Sequence, residues 1–184
     1  MTILCKYARE ERCDKTPSIR HPYTPFYDLI LSRFRFRSGR LLEIGIGAPN
    51  LMQPICGENY QPGASLRMWA KYLPYFQIHG ADTVDLPVNY PRIATRQTDA
   101  TGPGFAEVMH GPWDIIIDDG SHRPEDQAKT FAMMRGELAP GGVYVIDDVG
   151  CADAVALPYD ASRFISDFSP HAHFDSRLIV FTNP

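Results

Sequence analysis

"WDIIIDDGSHRPEDQAKTFAMMRGELAPGGVYVIDD", residues 113–148, reads as strand, helix, strand. Two apolar runs, ending at Ile117 and Ile146, each stop on a pair of aspartates: Asp118 and Asp119, then Asp147 and Asp148. Between them, residues 123–140 carry Pro124 at an initial helical position, acids in the first turn and Pro140 as a stop. Unbroken apolar strands joined by a helix indicate a parallel sheet covered on both faces.

The same alternation extends outward. "TPFYDLILSRFRF" (24–36) has apolar residues at helical spacing, and "GRLLEIGIG" (39–47) is a short strand running into glycines. "ASLRMWAKYLP" (64–74) reads as a helix with Ser65 near its first turn and Pro74 as its stop. "FQIHGAD" (76–82) and, more weakly, "RIATRQTDA" (92–100) are further strands; residues 103–110 form a short helix and "RLIVFT" (177–182) the last strand. Residues 1–22 read as an N-terminal arm, 48–63 as an elongated loop and 150–176 as a short variable region. The expectation is a single α/β domain over 1–184, with a Rossmann-like, doubly wound, mostly parallel sheet, helices on both faces and an antiparallel last strand.

Bulk properties remove several classes. A net charge of −4 gives no basic patch for nucleic acid. Cys5, Cys13, Cys56 and Cys151 lie far apart, without zinc spacing, and read as reduced thiols. No stretch approaches the roughly 18 apolar residues of a membrane span, and the opening "MTILCKYAREERCDK" has too short an apolar run for a signal peptide. The chain is expected in the cytoplasm, without nucleic-acid or membrane partners.

In parallel sheets ligands sit beyond the carboxyl ends of the strands, at the switch in strand order. That rule puts Glu43, Asp82, Asp119 and Asp147 along one rim. Gly45 and Gly47 let the backbone approach a ligand but leave G-x-G-x-x-G incomplete. Free N–H groups at Ala64 and Ser65 suit a carboxylate or phosphate. Asp82 is placed to accept from ribose hydroxyls, although it lies further from Gly45 than the roughly 20 residues of the compact fingerprint. Asp99 borders an adenine pocket or caps a helix. Carboxylates gathered within a few ångströms repel unless a cation compensates, and oxygen ligands favour a hard divalent ion. Neighbouring side chains on a strand point to opposite faces, so Asp119 with one or both of Asp147 and Asp148 is the geometric choice. Asp118 faces a cofactor or caps the next helix, and His122 lies close enough to act as a base. Surface acids that only cap helices are the bland alternative. The aromatics Tyr7, Tyr23, Tyr27, Trp69 and Tyr159 are candidates for a sugar site, with core packing the commoner use of such spacing.

Taken together, "DKTPSIRHPYTPFYDLI", "RLLEIGIG", "GASLRMWAKYLPYFQIHGAD", "WDIIIDDGSH" and "LAPGGVYVIDD" resemble the class I S-adenosylmethionine-dependent methyltransferases, and more narrowly the Mg²⁺-dependent sugar O-methyltransferases of macrocin and mycinamicin type. The resemblance covers roughly residues 14–149. It implies S-adenosylmethionine and Mg²⁺ as cofactors, with Asp119, Asp147 and Asp148 on the metal and His122 as general base. Glu43, Gly45, Gly47, Ser65, Asp82, Asp99 and Asp118 would line the cofactor. The family often has Glu at the position of Asp147. The implied reaction is methyl transfer to a hydroxyl of a sugar or glycoside, and the implied partners are that small acceptor and at most a second copy of the chain in a homodimer. Two rival readings are a Mg²⁺-dependent phosphoryl-transfer hydrolase and a non-catalytic S-adenosylmethionine-binding protein.

Overall fold

A computed structural model describes residues 2–151, 155–156, 163–168 and 175–183. Seven strands form one sheet: β1 (Gly39–Ile44), β2 (Phe76–Asp82), β3 (Ile93–Gln97), β4 (Trp113–Asp118), β5 (Leu138–Ile146), β6 (Arg163–Asp167) and β7 (Arg177–Thr182). Their order is β3-β2-β1-β4-β5-β7-β6. The first five run parallel; β7 is antiparallel to both β5 and β6. The order reverses between β1 and β4, so their carboxyl ends open a crevice.

Among the described residues six α-helices accompany the sheet: α1 (Ile3–Glu10), α2 (Thr24–Leu31), α3 (Pro49–Cys56), α4 (Ala64–Tyr72), α5 (Phe105–Val108) and α6 (Pro124–Met134). Strand alternation divides the apolar runs between two layers. Leu41, Ile115, Ile117 and Val145 face one way and pack with Leu4, Tyr27, Leu31 and Trp69 of α1, α2 and α4. Leu42, Ile116, Tyr144 and Ile146 face the other way and pack with Phe131 and Met134 of α6. Ile115, Ile116 and Ile117 are all fully buried, and each contributes about 1.5–3 kcal/mol by leaving water. The doubly covered sheet and its antiparallel last strand match the expectation.

Three elements depart from it: the edge strand β6, which falls in the expected variable region 150–176, and two helices. The arm contains a helix, α1, with Thr2 accepting from the Cys5 amide at its N-terminus and Glu11, just past its C-terminus, pairing with Arg67 of α4 at 2.6 Å. The 48–63 loop contains α3, which tolerates an internal Pro54. No helix among the described residues is long and apolar enough to cross a membrane. The four cysteines are free thiols.

Candidate active site

A cleft of about 570 Å³ lies over the carboxyl ends of β1, β2 and β4 and the segment after β5. Its glycine wall is shaped by close backbone approach. Gly45 has φ +84°, and a Cβ there would sit 2.0 Å from the Asp119 carbonyl oxygen. Gly47 has φ +82°, and a Cβ there would meet the Tyr60 hydroxyl at 2.6 Å. Only glycine allows both the left-handed backbone and the contact. Asp82 holds this wall: its Oδ2 accepts from the Ile46 amide at 2.8 Å, and its Oδ1 from the Val84 amide at 3.1 Å. Asp99 closes a tight turn by accepting from the amide and hydroxyl of Thr101, both at 2.8 Å. Those two bonds lower its pKa. Ser65 opens α4 on the same wall.

The two aspartate pairs split. Asp118 accepts from the Tyr144 hydroxyl at 3.1 Å and from Gly120 N–H at 3.4 Å; burial pushes it up to about 7. Asp119 turns Oδ2 to Lys15 Nζ at 2.5 Å and Oδ1 toward His122 Nε2 at 3.7 Å. Burial works against its charge, but Lys15 and then His122 lower its pKa to about 2. Asp147 is fully buried and faces away from the cleft, with Oδ2 2.6 Å from Lys15 Nζ and Oδ1 bonded to the Tyr27 hydroxyl. Asp148 has φ +52°, a left-handed turn that redirects its side chain. Its Oδ1 accepts from the Tyr23 hydroxyl at 2.6 Å, while Oδ2 lies 3.7 Å from His122 Nε2 and 3.5 Å from His21 Nε2. Burial, then Asp119 and Asp147, raise Asp148 to about 8.

Tyr23 and Tyr27 explain the split. Four residues apart at the start of α2, they share a helix face, and each donates to one member of the second pair. Both are buried, as is Trp69, so these three aromatics belong to the core rather than to an open sugar site. Tyr159 lies outside the described residues.

Ligand atoms of Asp119, His122 and Asp148 lie within 4.8 Å of one another. His122 sits exposed at the rim, and the neighbouring Asp119 carboxylate, 3.7 Å away, raises its pKa to about 9. Of the eleven residues singled out in the sequence, nine line the cleft: Gly45, Gly47, Ser65, Asp82, Asp99, Asp118, Asp119, His122 and Asp148. Glu43 and Asp147 do not. Glu43 lies beneath, fully buried, 3.7 Å from Lys15 Nζ and without a hydrogen-bond donor on either oxygen. Burial raises it to about 8, with Lys15 opposing. Sequence reasoning assigned no role to Lys15, Asp14, Arg20 or Asp175, although "DKTPSIRHPY" held the first three; all but Lys15 line the cleft. Asp118 and Asp119 do not cap the helix that follows them, because the N-cap position of α6 is Arg123 and no side chain caps it.

No family model matches the chain. Over 136 residues, 72% of its length, it is 39% identical to the mycinamicin VI 2''-O-methyltransferase of Micromonospora griseorubida, covering 32% of that protein. It is 38% identical over 136 residues, again 72% of the chain, to the demethylmacrocin O-methyltransferase of Streptomyces fradiae, covering 33% of it. The solved structure of MycE, a methyltransferase from the mycinamycin biosynthetic pathway in complex with Mg, SAH and mycinamycin VI, superposes with a TM-score of 0.77 at 25% identity. That match covers 99% of this chain and 55% of MycE. The chain thus spans about a third of the length of these curated relatives. Its mostly parallel sheet with antiparallel C-terminal strands is that of MycE.

Proposed function

We propose that this chain, a class I methyltransferase by fold and similar in sequence to the macrocin- and mycinamicin-type sugar O-methyltransferases, transfers the methyl group of S-adenosylmethionine to a hydroxyl of a sugar or glycoside. The observation that carries the reading is the shared cleft. At one end lie Gly45, Gly47, Ser65, Asp82 and Asp99; at the other are Asp119, His122 and Asp148, within 4.8 Å of each other.

The second group suits a divalent ion. Asp119 and Asp148 each commit one oxygen to the protein, on Lys15 and Tyr23, and turn the other toward His122 and the cleft. Two such oxygens on adjacent strand ends form a hard donor set, and burial, then Asp119 and Asp147, raise the pKa of Asp148, a charge that a cation would stabilise. Asp119 and Asp148 would hold Mg²⁺. Asp147 would join them only by leaving Lys15 and Tyr27. Bound there, Mg²⁺ would supply positive charge to stabilise a developing alkoxide.

The remaining steps belong to the side chains. S-adenosylmethionine brings an electrophilic methyl group, and the glycine wall with the first turn of α4 would orient it through backbone N–H groups. Asp119 and Asp148 hold the His122 imidazole in its protonated form. His122 Nε2, at the cleft rim beside both acids, is placed to accept the acceptor hydroxyl's proton in its deprotonated form. Holding the two reactants in line lowers the entropic barrier. Calorimetric titration with S-adenosylmethionine, with and without Mg²⁺, followed by a labelled-methyl screen of mono- and oligosaccharides, tests the reading. Absence of S-adenosylmethionine binding under both conditions would end it.

A further inference from the structure

Lys15 stands in the loop between α1 and α2 with its side chain 2% exposed. Its ammonium faces three acids from three strand ends: Asp119 Oδ2 at 2.5 Å after β4, Asp147 Oδ2 at 2.6 Å after β5 and Glu43 Oε1 at 3.7 Å on β1. The backbone is anchored as firmly, because the Lys15 carbonyl accepts the Tyr23 and Thr24 amides at 3.2 and 3.0 Å at the start of α2. Burial opposes the charge, yet Asp119, Asp147 and Glu43 hold Lys15 protonated, well above the ordinary lysine range. A buried cation so placed does two things. It compensates carboxylates that would otherwise be buried unpaired. It also repels any second cation a few ångströms away.

We infer that Lys15 is a built-in counter-cation that sets the affinity of the divalent-ion site, by occupying one oxygen each of Asp119 and Asp147 and leaving Asp119 Oδ1 and Asp148 Oδ2 to the ion. The inference rests on the metal reading proposed above. It makes Lys15 a positioning residue: it folds the acid cluster without metal, and it keeps the bound ion exchangeable. Replacing it with an uncharged side chain of similar length should therefore strengthen metal binding. A merely structural role predicts the opposite, since a loosened site binds less well.

The test compares the wild type, Lys15→Met and the charge-balanced double variant Lys15→Met/Asp147→Asn. Thermal melts in EDTA and in Mg²⁺ are combined with calorimetric Mg²⁺ titration. The wild type should melt only modestly higher in Mg²⁺ than in EDTA. Lys15→Met should melt lower in EDTA, recover in Mg²⁺ and bind Mg²⁺ at least about tenfold more tightly. The double variant should melt without metal close to the wild type, with affinity returned toward the wild-type value. Unchanged or weaker Mg²⁺ binding by Lys15→Met overturns the inference while leaving the metal site intact. If Lys15→Met does not fold in either buffer, the double variant decides: folding in EDTA with Mg²⁺ affinity at least equal to wild type supports the inference, and failure to fold or weaker Mg²⁺ binding overturns it. Mg²⁺ binding by none of the three sinks the metal reading itself, and the inference with it.

Discussion

The ends of β4 and β5 carry the same two letters, Asp-Asp, and use them in the same order, but they hold the first member against opposite layers of the sheet. At β4 both aspartates line the cleft, but the first, Asp118, is buried and held by the Tyr144 hydroxyl, while the second, Asp119, turns one oxygen toward His122. At β5 the first, Asp147, is sealed between Lys15 and Tyr27, and the second comes to the cleft only through a left-handed turn. The neighbours decide which carboxylate is structural: an aromatic hydroxyl on the α6 face takes Asp118, while a lysine and a tyrosine on the α2 face take Asp147. Paired acids at a strand end therefore divide one task of stability and one of binding, and the packing layer chooses between them.

Removing the cleft-facing member of the first pair should have the largest effect. Asp119→Ala takes away a metal oxygen together with the partner of His122, and methyl transfer should fall by about 10³-fold or more; turnover with labelled S-adenosylmethionine reads this. Activity within tenfold of wild type would break the division of roles. The second pair offers the sharper contrast. Asp147→Asn should lower stability by about 3–5 kcal/mol, because it breaks a buried ion pair. Asp148→Asn should instead abolish Mg²⁺ binding and leave stability unchanged or raised, since burial already disfavours its charge. Denaturant melts and metal titration of both variants would show whether the two effects separate. Gly45→Ala follows, at about 2–3 kcal/mol of destabilisation, from the left-handed backbone and the blocked approach of the Asp119 carbonyl.

The smallest effect lies far from the cleft and measures the arm. Glu11 meets Arg67 and Lys71, each at 2.6 Å. Burial opposes its charge, but Lys71 and Arg67 hold its pKa below the ordinary value. A depressed carboxyl pKa adds stability that is present above the unfolded-state value and lost as pH falls through the folded-state value. At a partly exposed site this is worth about 1 kcal/mol or less. Glu11→Gln should accordingly flatten the acid side of the stability profile below about pH 4.5 and leave neutral-pH activity untouched.

The strands β1, β2, β4 and β5 were legible because their apolar runs are continuous and bounded by turn residues. The antiparallel last strand was legible from "RLIVFT" for the same reason. Two helices were not. In α1 the apolar Leu4 and Ala8 do recur at helical spacing, but "AREER" dilutes them, and the buried face is completed only by α2 and α4. In α3 an internal Pro54 breaks the usual signal. β5 begins at Leu138 rather than after Pro140, because its register shifts against β4 between Trp113 and Ile115. At the site, strand alternation correctly implied that the members of each aspartate pair differ. Which member faces the cleft depended on Tyr23, Tyr27 and Lys15, whose contacts span more than a hundred positions and leave no local pattern.

The Lys15 and Asp147 pair also has a historical side. Losing Lys15 alone leaves Asp147 buried without a cation, and losing Asp147 alone leaves Lys15 one buried partner short, whereas losing both together keeps the net charge of the cluster. Lineages that cross this step must do so through a weakened or metal-requiring intermediate. Among descendants of a common ancestor the arm and the end of β5 should therefore change in concert, although 132 positions of chain separate them.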